Sequence, residues 1–401
     1  LTVCGLFEPS GDFVFRVFRK GKVVFYSVKG RKSTGKDERM PDRIMVSRGG
    51  NKIYDIVMER SFGKLKEELI SLGLEGKKIC IVTDDRVSGF YLTPVYEIVS
   101  EIASKAAMFV FTAGEKSKTL ETVRELYEAL IRQEFDRKDV LIALGGGVTG
   151  DLCGFAAATY LRGISFIQIP TSLLAQVDSS IGGKTGVNFS GYKNMVGAFH
   201  MPLLVYINLT TLQSLPDREF SSGMGEVIKH GLIWDPVYYE MLCQNRKEIL
   251  NRNPDFLEKV VSGSARIKQQ VVENDPEEKG LRRILNFGHT LGHAVEKESG
   301  FLFSHGESVA LGMICALSIS ADRGMVPDIE LQKLIDLLSF FSLPVKCGKI
   351  DPGHILEDTL HDKKMESGKI RFILLGKIGE AYVDDTVTEN EMRKSLEKIY
   401  E

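Results

Sequence analysis

The sequence lacks any apolar run of the roughly 18 residues that a membrane-spanning helix needs, so bilayer insertion is not expected. It also lacks an excess of either charge: 52 Lys and Arg face 54 Asp and Glu, the net charge is −2, and the basic residues are scattered. That removes the electrostatic footprint of a nucleic-acid binder. Six cysteines, Cys4, Cys80, Cys153, Cys243, Cys315 and Cys347, include no C-x-x-C pair. Their spacing disfavours a thiolate metal site and a disulfide framework and fits a reducing cytoplasm. No basic segment leads into a short apolar core at the start, so no secretory signal is expected. What remains is a chain of 401 residues, 43% hydrophobic and 26% charged, long enough for two domains with substantial cores and suited to small-molecule chemistry.

Three segments differ in pattern. Residues 1–45 alternate aromatic and β-branched residues with basic ones ("FVFRVFRKGKVVFYSVKGRK"), as a hairpin or meander turning at Gly21 would, and run into a polar linker, so they read as an appendage. Residues 46–212 alternate short apolar strands ("KKICIVTD", "AAMFVFTA", "DVLIALGGG", "SFIQIP") with helical stretches such as "SKTLETVRELYEALIRQE". That order belongs to a parallel, Rossmann-like sheet covered by helices. Residues 213–401 are mostly amphipathic helices, for example "PDFLEKVVSGSARIKQQVVEN", until a late strand pair, "IRFILLGKIGEAYVDD". The expected fold is an α/β nucleotide-type domain followed by a mostly α-helical one.

"GGGVTGD" at 145–151 satisfies G-x-G-x-x-G through Gly145, Gly147 and Gly150 between a strand and a helix. Backbone N–H groups at such a helix N-terminus can meet a diphosphate, although a ligand-free tight turn would use the same residues. No carboxylate follows about twenty residues on, where a Rossmann ribose contact is expected. Asp84, closing "CIVTDD", can replace it if its strand lies beside the glycine-loop strand, though an acid there is more often a solvated turn residue. "GEKSK", with Glu115 and Lys118, is a helix cap or a second nucleotide contact.

Of seven histidines, His289, His293 and His305 cluster, which favours a metal or proton-transfer site over satisfied core residues. Helical spacing nominates His289 with His293, since residues four apart share a face. "HTLGH" lacks the glutamate of H-E-x-x-H, so metalloprotease chemistry is disfavoured. A third ligand can come from "GMGEVIKHG", where spacing does not choose between Glu226 and His230. The stretch "AQVDSSIGGKTGVNFSGYKNMVGAFH" gathers Asp178, Lys184, Asn188, Lys193 and Asn194 among five glycines and reads as a long loop of donors for a phosphate or polyol. Glu278, Arg282, Lys363 and Lys364 follow in "DPEEKGLRR" and "HDKKMESGK".

From about residue 54 to about 385 the chain resembles the 3-dehydroquinate synthases, on the motifs "LGGGVTGDLCGFAAATYLRG", "IPTSLLAQVDSSIGGKTGVN", "KNMVGAFHMP", "GMGEVIKHG", "LNFGHTLGHAVE" and "HGESVALGM". The resemblance implies a homodimer with an NAD-binding α/β domain and a helical metal-binding domain, the site lying between them. It implies zinc, with cobalt as the alternative, on Glu226, His289 and His305, and moves His293 from the metal to the substrate. It implies NAD contacts at Asp84, Glu115, Lys118, Gly146, Gly147, Val148, Asp151, Thr171, Ser172, Lys184 and Lys193, with Arg86 standing where the family pattern has asparagine. Asp178, Lys184, Lys229, Lys268, Glu278, Arg282, Asn286 and His293 fall on its catalytic positions. Arg162, Lys193, Asn194 and one of Lys363 and Lys364 fall on phosphate contacts, the arginine reaching the neighbouring subunit's site. The implied reaction is redox-neutral cyclisation of 3-deoxy-D-arabino-heptulosonate 7-phosphate with loss of phosphate. A related sugar-phosphate cyclase would have less use for the carboxylate-binding candidates Lys268, Arg282 and Asn286, and a polyol dehydrogenase for so many phosphate-facing cations.

Overall fold

A computed structural model describes residues 43–300, 302–348, 350–365 and 370–400, without the side chains of 360–365, and the backbone of three strands nearer the start. Those strands, β1 (Val3–Phe7), β2 (Phe13–Arg19) and β3 (Lys22–Val28), form an antiparallel meander, as their alternation predicts.

The central sheet is built from β4 (Arg43–Arg48), β5 (Asn51–Glu59), β6 (Lys78–Asp84), β7 (Lys105–Phe111), β8 (Val140–Gly145) and β9 (Ser165–Pro170). A separate hairpin, β10 (Lys184–Phe189) with β11 (Tyr192–Phe199), precedes its last strand, β12 (Leu204–Asn208). The strand order is β4-β5-β12-β9-β8-β6-β7, parallel throughout except for β4 against β5. β4 straddles residue 45 and pairs along its length with β5, so the chain from Arg43 onward belongs to the sheet. The "VLIALG" run of β8 is buried at every position, which is why it carries no polar alternation. Helices α1 (Leu65–Ser71), α2 (Asp85–Ser100), α3 (Leu120–Arg132) and α4 (Gly147–Thr159) flank the sheet. Thr119 caps α3, and Val123, Leu126 and Leu130 form its buried stripe.

After β7 the chain returns to the opposite side of β6 to lay down β8, so the strand order reverses between them. Such a switch point opens a crevice at the carboxyl ends of the strands. Asp84 ends β6 and Gly145 ends β8, so both face that crevice.

The remainder comprises α5 (Asp217–Trp234), α6 (Pro236–Gln244), α7 (Arg246–Leu250), α8 (Pro254–Asn274), α9 (His289–Glu298), α10 (His305–Asp322), α11 (Asp328–Phe340), α12 (Pro352–Met365), the hairpin β13 (Phe372–Lys377) with β14 (Glu380–Asp384), and α13 (Glu389–Glu397). α10 is buried on all sides from Ser308 to Ser320, so it lacks an amphipathic stripe and forms the axis of this part. Ile56, Val205 and Ile207 of the sheet share one core with α5, α8 and α10, which fixes the helices against one sheet face. Among the described residues no helix is long and apolar enough to cross a membrane, and the five described cysteines are free.

The glycine-rich stretch at 175–200 differs from the long loop its composition suggests: a π-helical turn at Ala175–Ser179 leads into the β10–β11 hairpin. The join is made by Gly182, at φ +99°, where a Cβ would lie 2.6 Å from an Arg282 nitrogen. Only glycine permits that backbone and that approach together.

Candidate active site

Glu226 lies in α5 with no exposed surface, and its Oε1 has no hydrogen-bond partner. Facing that oxygen are His305 Nε2 at 3.3 Å and His289 Nε2 at 3.6 Å. The two imidazoles occupy the first positions of α10 and α9. His289 Nδ1 lies 3.2 Å from the Phe287 carbonyl, which fixes the tautomer: Nδ1–H donates and Nε2 presents its lone pair toward Glu226. His305 is held by the capping box of Ser304 and Glu307 and by close helix contact, since a Cβ on Gly306 would lie 1.9 Å from the Ser222 carbonyl oxygen. Burial alone would raise the Glu226 pKa, but Lys229, bonded to its other oxygen, and the His305 imidazole hold it well below the carboxylate range. Burial and the Lys229 charge push His289 well down, toward the neutral ring, whereas burial at His305 is outweighed by the facing carboxylates, Glu226 first, and its pKa is raised. One carboxylate and two imidazoles converging with an orphaned oxygen fit a divalent cation with an open coordination position.

A second group, Asp178, Glu226 and His230, also converges. Its charges are already balanced: Lys268 donates to Asp178 Oδ1 at 2.6 Å and to its backbone oxygen at 2.5 Å, and Lys229 holds Glu226. Burial would raise Asp178, but the Lys268 ammonium outweighs it and takes the group to about 2. His230, wholly buried, has Nε2 3.8 Å from Asp178 Oδ1 and converges with this second group, whereas Glu226 belongs to both groups and alone of the two faces His289 and His305.

Around these groups the fold collects cations. Lys184, at the start of β10, pairs with Glu278, whose other oxygen accepts from Asn286 Nδ2 at 3.2 Å. Arg282 is 2% exposed and donates to carbonyls only, Pro276 O at 3.0 Å and Gly182 O at 3.3 Å, so its buried charge has no carboxylate partner within ion-pair reach among the described residues. A guanidinium held by carbonyls keeps its charge and has N–H donors to spare for an anion. His293 does not join the Glu226 group; its ring centroid is 5.1 Å from that of His289 and 6.1 Å from that of His305. Lys193 of β11 reaches Glu296 of α9 at 2.6 Å.

On the sheet side, β6 lies directly beside β8, the condition Asp84 required. Asp84 caps α2 and accepts from Thr149 Oγ1 at 3.3 Å. α4 starts at Gly147 with no side-chain cap, leaving its first N–H groups free for an anion. The turn is a shallow cradle that Cβ atoms would fill: at Gly147 one would lie 3.1 Å from Ser179 Oγ, at Gly146 3.4 Å from Ser172 Oγ. Thr171 N donates to Gly145 O at 2.9 Å, and Val148 packs against the neighbouring core. Buried Lys118 joins Asp151 to Asn194, while Asn188 bonds Glu115 at 2.8 Å, so the hairpin is tied to the cradle. Burial raises Asp151 in spite of Lys118.

Arg162 is not brought into this cleft: it is exposed, in left-handed backbone at φ +68°, before β9 and hence at the amino ends of the strands. Lys363 and Lys364 lie in α12, with side chains outside the described residues. Tyr54, whose hydroxyl accepts from Gly182 N at 3.1 Å, and Glu296 receive no role from the sequence alone, although Glu296 closes the motif "LNFGHTLGHAVE" and stands three residues after His293.

A family model described as 3-dehydroquinate synthase N-terminal matches residues 108–222, and one described as 3-dehydroquinate synthase C-terminal matches residues 223–365. The 3-dehydroquinate synthase of Desulforamulus reducens is 43% identical over 345 residues, covering 86% of this chain and 96% of that one. The chain belongs to the 3-dehydroquinate synthase family. It is an enzyme of that class, and the α/β-plus-helical architecture is that of the dehydroquinate synthase-like fold. Among solved structures, 2-epi-5-epi-valiolone synthase from Streptomyces hygroscopicus subsp. jinggangensis, with NAD+ and Zn2+ bound, matches at TM-score 0.80 and 27% identity over 88% of this chain and 98% of its own. A 2-deoxy-scyllo-inosose synthase complexed with carbaglucose-6-phosphate, NAD+ and Co2+ matches at TM-score 0.78 and 26% identity, over 88% and 99%. Within the 3-dehydroquinate synthase family model, the C-terminal match includes Glu226, His289 and His305 together.

Proposed function

We propose that the cleft converts 3-deoxy-D-arabino-heptulosonate 7-phosphate to 3-dehydroquinate and inorganic phosphate, with NAD on the sheet side and zinc, or cobalt, on the helical side. The main support is the orphaned Glu226 oxygen facing two imidazoles beside an unpaired buried guanidinium, in a chain of this family. Glu226, His289 and His305 would hold the metal. Asp84 would take the ribose, Gly146, Gly147 and Val148 the diphosphate, and Glu115, Lys118, Asp151, Thr171 and Ser172 the rest of the dinucleotide, with Lys184 and Lys193 at its substrate end. When bound, the metal would lower the pKa of the substrate hydroxyl to be oxidised, and NAD would accept its hydride and return it after phosphate has left.

The chain's own residues do the rest. Arg282 takes the substrate carboxylate through its free N–H groups, and Lys268, held by Asp178, stands ready for a neighbouring oxyanion. Lys229 keeps Glu226 ionised and oriented. Lys184, Asn286, His293, Lys193 and Asn194 surround the phosphate and stabilise it as a leaving group, and Glu278 holds Lys184 in place until it arrives. Arg162 serves the neighbouring subunit's site, and Lys363 or Lys364 completes the phosphate shell. The protein is accordingly a cytoplasmic homodimer acting second in the shikimate pathway, with residues 46–212 carrying NAD and 213–401 carrying metal and substrate.

Parallel assays with the heptulosonate 7-phosphate and sedoheptulose 7-phosphate test the substrate. Turnover of the first at kcat/KM at least about 100-fold above the second is expected, because Arg282 is left unpaired without a carboxylate. The reverse preference would move the protein to a neighbouring cyclase class.

A further inference from the structure

Glu296 belongs to none of the contacts assigned above, yet it is a carboxylate with only 7% of its side chain exposed and bonded at 2.6 Å to Lys193. The two groups come from opposite walls of the cleft: Lys193 from the β10–β11 hairpin, Glu296 from α9, one turn beyond His293 and on the same helix face. Glu296 is close enough to act electrostatically on His293 and His305, and Lys193 on His293. An ammonium proposed to bind phosphate therefore already has a resident anion, the carboxylate buried and the ammonium open to the cleft with 37% of its side chain exposed.

On the assignment of Lys193 to the phosphate shell, we propose that Glu296 is the standing counter-ion of Lys193 and competes with phosphate for it. Entry of the phosphate dianion draws the ammonium off Glu296. After elimination, the carboxylate recaptures the ammonium, so the free dianion loses that contact and departs. An enzyme whose product is inorganic phosphate needs such a release device, because cations arranged to stabilise a leaving phosphate would otherwise retain it. Glu296 thus acts through Lys193 as a positioning residue. Its removal should tighten phosphate, whereas removal of a residue that merely braces Lys193 should weaken it.

The test is titration calorimetry of inorganic phosphate into the full chain loaded with zinc and NAD, for the parent, Glu296→Gln, Lys193→Met and the double variant. Glu296→Gln is expected to bind phosphate about 5–10-fold tighter, and to be inhibited by phosphate at correspondingly lower concentration. The gain should vanish in the Lys193→Met background. Unchanged or weaker binding by Glu296→Gln, or a gain that survives Lys193→Met, would overturn the proposal. Should Glu296→Gln fail to fold, Glu296→Asp keeps the charge but withdraws it from Lys193: a smaller tightening supports the proposal, and no tightening overturns it. Because phosphate titration needs no turnover, failure of the heptulosonate as substrate would overturn the proposed function and leave this result decisive.

Discussion

Glu226 combines three demands at one residue: it is buried, ionised by Lys229, and open at one oxygen to two imidazoles. Replacing it by glutamine keeps the shape and removes the charge. Glu226→Gln is expected to weaken zinc binding at least about 100-fold and to lower kcat about 1,000-fold or more. It should also lower the stability of the metal-free protein by about 2–4 kcal/mol, since Lys229 is left buried without its partner. Metal analysis after dialysis against a chelator, with denaturant unfolding of the same samples, measures both. Normal zinc content in the variant would remove Glu226 from the ligand set.

The elements position these residues through their ends: α9 and α10 present histidines at their first turns, and β6 and β8 present Asp84 and the glycine turn at their last residues. Far from the site, Arg323 at the end of α10 clamps Asp384 of β14 at 3.0 Å and Glu391 of α13 at 2.6 Å. The bond to Arg323 outweighs burial and takes Glu391 from 4.5 to about 2. A depressed carboxylate contributes stability above its unfolded pKa and loses it as pH falls toward the folded one, so the clamp should act fully above pH 4.5 and fade toward pH 2. Arg323→Ala should cost about 1–2 kcal/mol at pH 7, discounted for partial exposure, and less at pH 3. Urea unfolding at the two pH values measures this, and an equal cost at both would refute the linkage. Elements with a simple burial geometry were legible in the sequence: β8 as an unbroken apolar run, α3 as a capped amphipathic helix. The β10–β11 hairpin was not, because Phe189, Tyr192, Met195 and Phe199 point outward and the turn-forming glycines mimic a loop. α5 was equally hard to place, since a helix buried on nearly every side has no stripe to read.

At the scale of the molecule, the site joins residues far apart in sequence. The three histidines were readable as a cluster because they fall within seventeen positions, whereas the convergence of Glu226 on His289 and His305 and the pairing of Lys193 with Glu296, 103 residues apart, follow only from packing. Arg162 extends the question beyond one chain. If it serves the neighbouring site, mixed dimers of Arg162→Ala and Glu226→Gln, each inactive alone, should regain about a quarter of parental activity, one working site in each heterodimer. No recovery after mixing under refolding conditions would contradict service to the neighbouring site, and full activity of Arg162→Ala alone would place Arg162 outside the active site.

Redox neutrality is the property in which the proposed metal triad, dinucleotide cradle and phosphate shell all meet, since a hydride that leaves and returns needs each of them. The deciding measurement is simultaneous recording of phosphate release and of NADH absorbance as the zinc- and NAD-loaded protein acts on 3-deoxy-D-arabino-heptulosonate 7-phosphate. Phosphate and 3-dehydroquinate in equal amounts, with no net NADH, is the predicted result. NADH accumulating in step with substrate consumed, without phosphate, would contradict it and make the protein a dehydrogenase.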